Sequence, residues 1–119
     1  MTDRRFPRSV YGVGDEPDPR FSLANERTFL AWIRTALALL AVGVAIEALA
    51  LGADPVLRFI AGLIFIALGA AAAVYGWVSW LRTERALRQN RALSGPTAGV
   101  YVVVGVVVAI LLLVAGMLL

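Results

Sequence analysis

The stretch FIAGLIFIALGAAAAVYGWVSWL, from Phe59 to Leu81, contains no charged residue. A helix needs about 20 mostly apolar residues to cross the hydrocarbon core of a bilayer. The polar content of this stretch is little more than Ser79, so lipid is its most favourable surrounding. The segment therefore predicts a membrane-spanning helix.

Two further segments pass the same length test. The run from Val100 to Leu119 is equally free of charge. It is rich in valine, but an isolated strand would leave its backbone groups unpaired in hydrocarbon, so a helix is predicted. The first segment contains Glu47, which we expect near an interface or paired with Arg58. The sequence thus predicts an all-α integral membrane protein with three transmembrane helices, at about 35–51, 59–81 and 100–119.

Composition supports a membrane protein and excludes several functions. The 119 residues are 61% hydrophobic, with a mean hydropathy of +0.83, and a soluble core of this size cannot bury so much apolar surface. Cysteine, histidine and lysine are all absent. Without them, neither a metal site nor an activated nucleophile with its base is expected, so we predict no enzyme, no metal and no cofactor. The net charge of +3 gives little support to nucleic-acid binding.

The arginines predict the orientation, because positive flanks tend to remain in the cytoplasm. They cluster before the first span and between the second and third, which predicts a cytoplasmic N-terminus and an external C-terminus. Residues 1–20 contain Pro7, Pro17 and Pro19 with mixed charge and few large apolar groups, which indicates a disordered cytoplasmic tail before a membrane domain at 21–119. Ser22 is expected to cap an interfacial amphipathic helix that runs into the first span.

The candidate site is a set of charges at the start of the first span. Arg20, Arg27 and Arg34 are seven residues apart and share one helical face. One interpretation is that they anchor the helix to anionic lipid headgroups. The other is a binding site for an anion, which the neighbouring polar residues favour because a simple anchor needs neither an amide nor a carboxylate. These supporting polar residues are Asn25, Glu26 and Thr28.

A second basic cluster follows the second span, where Arg82 and Arg85 lie on the predicted cytoplasmic side. They are expected either to bind anionic lipid or to meet Arg27 and Arg34 in one anion site. Small residues also recur within the spans and permit close helix packing, within one chain or between chains. The glycines concerned are Gly43, Gly62, Gly69, Gly76 and Gly105.

The motif ANERTFLAW, Ala24 to Trp32, followed by two further spans, closely resembles the signature of the YidH-like family, also called domain of unknown function 202. The resemblance implies a small three-span protein of the bacterial inner membrane. The same domain is similar to the membrane part of the eukaryotic vacuolar transporter chaperone complex, which makes polyphosphate and passes it through the membrane. Several such domains surround a pore there, and basic residues at its cytosolic mouth contact the polyanion.

By this resemblance, Arg27 is a residue of the pore mouth, and Glu26 beside it holds or gates the arginine. Arg20 and one of Arg82 or Arg85 complete the basic ring, and Arg34 fits the bacterial form of the motif. The resemblance also implies a homo-oligomer, a pentamer by analogy. No soluble polymerase domain is present, so polyphosphate synthesis is not implied.

Two functional hypotheses follow. In the first, a homo-oligomer forms an arginine-ringed cytoplasmic vestibule that binds phosphate or polyphosphate and, in its fuller form, conducts it. Three packed helices leave no lumen, so conduction requires a path between copies. In the second, the protein is a non-conducting structural or chaperone-like subunit of a larger membrane complex.

Overall fold

The computed structural model describes residues 4–50, 54–95 and 97–119, which form four helices and no strand. These are α1 (Arg8–Tyr11), α2 (Pro19–Ala48), α3 (Pro55–Arg88) and α4 (Thr97–Leu118). By length and composition, α2, α3 and α4 can each cross a membrane. The predicted all-α fold with three membrane helices is confirmed. Leu51, the predicted end of the first span, lies outside the described residues.

Helix α2 begins earlier than the sequence predicts. Its N-cap is Asp18, whose carboxylate accepts a hydrogen bond of 2.9 Å from the backbone N–H of Arg20. Pro19 occupies the first turn, where a missing N–H costs nothing. Ser22 is therefore not the cap. The predicted interfacial helix is the first part of α2, which continues without a break to Ala48.

Helix α3 occupies the centre of the molecule and packs against α2, α4 and α1. In the described part of the chain, no Cα atom of α2 lies within 8 Å of one in α4. The two outer helices therefore flank α3 and leave a groove between them. We call the end at which α2 begins, α3 ends and α4 begins the basic end, since it carries most of the arginines.

Glycines bring α2 and α3 close together. A Cβ atom at Gly69 would lie 2.9 Å from the carbonyl oxygen of Ala36, and one at Gly76 would lie 2.9 Å from the Cβ atom of Trp32. Such distances leave no room for a side chain, and close backbones gain dispersion contacts that lipid cannot supply. Four of the glycines predicted from their spacing lie at this interface within one chain, namely Gly43, Gly62, Gly69 and Gly76.

Helix α4 packs on the other side of α3, where Gly105 receives the side chain of Leu68. Much of the remaining apolar surface is exposed along all three long helices. Examples are Leu37, Val44, Val74, Val104 and Leu111. A surface of this kind suits the interior of a bilayer.

The end opposite the basic end contains few charges. The Nε atom of Arg58 lies 3.8 Å from the Oε1 atom of Glu47, so of the two placements expected for Glu47 the structure shows the pairing with Arg58. The backbone N–H of Asp54 donates to the carbonyl of Gly116 at 2.9 Å and so ties α4 to the start of α3. Glu47 thus belongs to a structural pair near the helix ends.

The N-terminal segment differs from the disordered tail that its composition predicts. Residues 4–18 lie against the basic end of α3, and Val10 is fully buried. Arg88 donates from Nε to the carbonyl of Val13 at 2.8 Å and from Nη2 to that of Tyr11 at 3.3 Å. Its own carbonyl accepts from the N–H of Asp15 at 2.9 Å. The hydrogen bonds of one buried arginine therefore hold the N-terminal segment against α3, although the segment has few large apolar groups.

Further contacts fasten the same segment. Glu16 accepts hydrogen bonds from Arg5 at 2.6 Å and from Arg88 at 3.2 Å. Gly14 has a φ of 61°, and a Cβ atom there would collide with the carbonyl of Arg88. Tyr11 packs against Trp80 at a centroid distance of 6.4 Å. Burial, followed by the nearby negative charge of Glu84, raises the pKa of Tyr11.

Candidate functional site

The predicted arginine stripe lies on the side of α2 that faces away from α3. Residues that contact α3 recur along α2 with a period of seven, and they are Ser22, Asn25, Phe29, Trp32, Ala36, Leu39, Gly43 and Ile46. At 100° per residue, Arg27 and Arg34 are rotated by about 180° from this contact face. Both side chains are exposed. The stripe therefore points to lipid or to another protein.

Arg34 lies far inside the apolar part of the molecule. Trp32 is level with Gly76 on α3, and Ala36 is level with Gly69. Arg34 is therefore level with the middle of the α3 segment between Gly69 and Gly76. The nearest charge on α3 toward the basic end is Arg82, about nine residues or 14 Å further along the helix axis. Half of the hydrocarbon core is about 15 Å thick. A permanent charge at this depth needs a polar partner.

Within the described part of the chain, neither Arg27 nor Arg34 forms an ion pair or a side-chain hydrogen bond. Glu26 is exposed, and no ion pair joins it to Arg27 among these residues. Arg20 differs, since its Nη2 atom lies 2.8 Å from Asp18. That hydrogen bond lowers the pKa of Asp18. The two deeper arginines of the stripe are thus available to a partner outside the chain.

The second basic cluster lines a separate cavity at the basic end. This cavity has a volume of about 270 Å³, and its polar lining includes Arg82, Arg85, Arg91, Thr83 and Ser94. Three arginines around a small open cavity suit a phosphate-like anion, which accepts several charge-assisted hydrogen bonds from guanidinium groups. Arg91 belongs to the same basic segment of the sequence but was not among the predicted site residues. Since Arg27 and Arg34 lie on the far side of α2, a single site that contains both clusters requires more than one copy.

Asn25 and Glu84 form a buried polar contact between α2 and α3. The Nδ2 atom of Asn25 donates to the Oε1 atom of Glu84 at 3.1 Å and to the carbonyl of Trp80 at 3.2 Å. The hydroxyl of Ser22 donates to the other oxygen of Glu84 at 3.2 Å. Only 6% of Asn25 and 3% of Glu84 are exposed.

Asn25 therefore does not extend the exposed polar surface beside Arg27, as the motif suggests, because its amide is used against α3. Thr28 is exposed and donates within its own helix to the carbonyl of Ala24 at 3.2 Å. Glu84 was not among the predicted site residues. A signal was present, since Ser22, Asn25 and Phe29 follow the heptad spacing of a packed helix face.

Comparisons with known proteins cover most of these residues. The profile of a domain of unknown function, DUF202, matches residues 20–86. Over 82 residues the chain is 51% identical to the inner membrane protein YidH of Escherichia coli K12, an alignment that covers 68% of this chain and 71% of that protein. An uncharacterized protein of Mycobacterium tuberculosis, MT2333, is 44% identical over 106 residues, which is 84% of this chain and 86% of that relative. No solved structure matches the chain.

Proposed function

This chain belongs to the DUF202 family and is an integral protein of the inner membrane, and we propose that it forms a homo-oligomer that binds a phosphate-like anion at its basic end. The bound anion lies in a vestibule formed by Arg27 and Arg34 from neighbouring copies, with Arg82 and Arg85 nearer the mouth. In the fuller form of this proposal, the anion passes between the copies through the membrane.

The position of Arg34 opposite the middle of the charge-free stretch of α3 is the observation that carries this proposal. An arginine keeps its charge even when buried. Such a charge inside the hydrocarbon must reach a headgroup, a water-filled cavity or a counter-charge. The exposed side chain is more than two helical turns from the level of Arg82, which makes a water-filled vestibule between copies the more favourable surrounding. Arginines facing one another there need an anion to offset their repulsion.

Two further arguments support an oligomer. The three long helices lie side by side with α3 in the middle, and they enclose no channel of their own. A conduction path must therefore lie between chains. The similarity of the family signature to the membrane part of the vacuolar transporter chaperone complex favours polyphosphate or phosphate as the anion, and a pentamer as the assembly. It also favours Arg27, in the shared motif, as the principal contact.

We also place the N-terminus in the cytoplasm. The basic end carries nine of the eleven arginines, Arg34 lies further along α2, and Arg58 alone lies toward the other end. Positive charge of this kind is retained in the cytoplasm. The chain has no cysteine, so single cysteines at Ser9 and Leu119 can be labelled in intact cells with a membrane-impermeant thiol reagent. Labelling at residue 119 alone is expected, and labelling at residue 9 alone would reverse the topology.

Replacing Arg27 and Arg34 by glutamine tests the anion site. We expect the double variant to bind polyphosphate at least about tenfold more weakly, a modest estimate for the loss of two charge-assisted contacts. Binding is measured by isothermal titration calorimetry of protein in lipid nanodiscs with phosphate and with polyphosphate. Assembly, measured as mass in the same nanodiscs, should not change.

Arg4→Gln provides the matched control for each single variant, Arg27→Gln and Arg34→Gln, because it likewise removes one positive charge, from an exposed position in the N-terminal segment. That variant should bind as the wild type does. Equal binding by all variants would show that the stripe does not hold the anion and would return it to the role of a lipid anchor.

The alternative is a non-conducting subunit of a larger complex. It requires the glycines that recur within the spans to face another protein. Gly43, Gly62, Gly69 and Gly76 instead lie between α2 and α3. Recovery of one stoichiometric membrane partner with a monomeric chain would favour this alternative over the homo-oligomer.

A further inference from the structure

A groove runs between α2 and α4, with α3 as its floor. Three adjoining cavities of about 430, 190 and 300 Å³ lie along it. Trp32 lines all three, while Tyr75, Ala98, Gly99 and Val102 each line two. Because the cavities share these residues, they form one continuous groove that opens toward the bilayer.

The groove changes from polar to apolar along its length. Its mouth at the basic end is lined by Asn25, Thr28, Ser79, Thr83 and Ser94. Deeper in the groove the lining consists mainly of Trp32, Leu68, Ala72, Tyr101 and Val102. From Ser79 to Leu68, α3 rises by about 16 Å, close to the roughly 15 Å that one leaflet contributes to the hydrocarbon core. At this level Gly105 packs on Leu68, and the lining of the three cavities reaches no further along α3.

The polar mouth adjoins the arginine-lined cavity. Thr83, Leu93 and Ser94 line both the mouth of the groove and the cavity that contains Arg82, Arg85 and Arg91. A molecule with a negative headgroup and one apolar chain matches this sequence of surroundings. A membrane-spanning helix of a second copy does not, because it needs about 30 Å of groove rather than one leaflet.

We propose that the groove binds an anionic phospholipid, with one acyl chain beside Trp32 and Tyr75 and the phosphate at Arg82, Arg85 and Arg91. The proposal rests on the proposed function for the role of Arg82 and Arg85 as anion-binding residues, and names the lipid phosphate as their ligand. It does not require the oligomer or the arginine stripe of α2. Moving a lipid chain from bilayer to groove brings no hydrophobic gain, so the arginines provide the preference for an anionic headgroup and the groove shape selects the chain.

Gly99 allows the groove to be filled without disturbing the fold. A Cβ atom at this position meets no other atom within 4 Å. Gly99→Trp therefore places an indole in the space of the acyl chain and leaves every arginine in place. Val100→Trp is the matched control, since Val100 is exposed and does not line the three cavities of the groove.

The experiment reconstitutes each protein in vesicles of equal parts phosphatidylglycerol and phosphatidylcholine and counts retained lipids by native mass spectrometry. We expect the wild type and Val100→Trp to retain phosphatidylglycerol, and Gly99→Trp to retain about tenfold less. The smaller variant Gly99→Leu repeats the test should the tryptophan variant not fold. Replacing Arg82 and Arg85 by glutamine should remove the preference for phosphatidylglycerol over phosphatidylcholine.

Equal retention by Gly99→Trp and the wild type would overturn the lipid site. So would binding of inorganic phosphate without any retained lipid, which assigns the cavity to a free anion. A change in the mass of the assembly of Gly99→Trp, with lipid retention unaltered, would place a second copy in the groove and overturn it as well. Loss of lipid in Gly99→Trp with normal polyphosphate binding separates this site from the stripe of Arg27 and Arg34.

Discussion

At the scale of single residues, Glu84 is a buried carboxylate held by two neutral donors, Ser22 and Asn25. A buried polar group left without its hydrogen-bond partner costs more than the bond itself contributes. The contact therefore acts mainly on specificity, because it stabilises only the register in which Asn25 of α2 meets Glu84 of α3.

Asn25→Leu tests whether this contact stabilises the register of α2 against α3. We expect the free energy of unfolding to fall by about 1–3 kcal/mol, because one oxygen of Glu84 loses its donor. The double variant Asn25→Leu with Glu84→Leu should recover much of that loss, since no carboxylate oxygen is then left without a donor and only the half-buried hydroxyl of Ser22 loses its acceptor. Unfolding in mixed detergent micelles measures both. Thr28→Val is the control, because its hydroxyl bonds only within α2. Purely additive losses in the double variant would contradict the account.

Glu16 links the docking of the N-terminal segment to pH. Hydrogen bonds from Arg5 and then from Arg88 lower its pKa below the ordinary value of 4.5. A lowered pKa in the folded state means that the contact contributes its full stability above about pH 4.5 and loses it as pH falls through the lowered pKa. Hydrogen exchange of residues 12–15, corrected for the intrinsic rate, should show protection that declines only in this acid range.

Glu16→Gln should abolish that acid dependence, whereas Asp18→Asn should leave it, because the carboxylate of Asp18 caps α2 and bonds to Arg20. Acid-dependent protection that persists in Glu16→Gln would assign the effect to another group.

At the scale of helices, the interface between α2 and α3 depends on the absence of side chains. The Cβ position of Gly69 is 2.9 Å from one backbone oxygen and 3.1 Å from the backbone nitrogen of Leu40. Backbone atoms cannot rotate away as a flexible side chain can. Any substitution at Gly69 must therefore separate the two helices.

Gly69→Ala should destabilise the protein by about 1–3 kcal/mol, the usual range for overpacking. Gly99→Ala, on an open helix face, should instead be neutral or stabilising by up to about 1 kcal/mol, because alanine favours the helix. The free energy of unfolding of both variants is compared with that of the wild type. Similar gains at both positions would refute the close packing at Gly69.

The helices were predictable because charge-free runs of about 20 residues have few alternatives in a membrane. The start of α2 was missed, although Asp18 and Pro19 form an ordinary cap, because Ser22 offered a second capping residue nearer to the motif. The docking of the N-terminal segment was not predictable in the same way. Arg88 donates to the carbonyls of Val13 and Tyr11. Every residue has a backbone carbonyl, so the sequence does not show which ones accept these bonds.

The candidate site was predictable only in part. Seven-residue spacing correctly places Arg27 and Arg34 on one face of α2. The rotation of that face relative to α3 depends on which neighbouring residues pack inward, and Asn25 looks polar and exposed in the motif although it is buried. An anion site that contains both Arg27 and Arg82 therefore requires more than one copy of the chain.

At the scale of the whole molecule, the Cα atoms extend 64 Å along the longest axis, about twice the thickness of the hydrocarbon core. Part of the bundle therefore projects beyond the bilayer. The basic end carries the N-terminal segment and the cavity of Arg82 and Arg85. In the central claim of this account, copies assemble with Arg27 and Arg34 facing a shared vestibule.

The most direct test is the mass of the complex released from a native-like bilayer, measured by native mass spectrometry with bound ligands retained. A single closed oligomer of four or more copies is expected, with phosphate-containing adducts that are lost in the Arg27→Gln and Arg34→Gln double variant. A monomer or simple dimer without such adducts would contradict the shared vestibule and assign the stripe to the lipid surface.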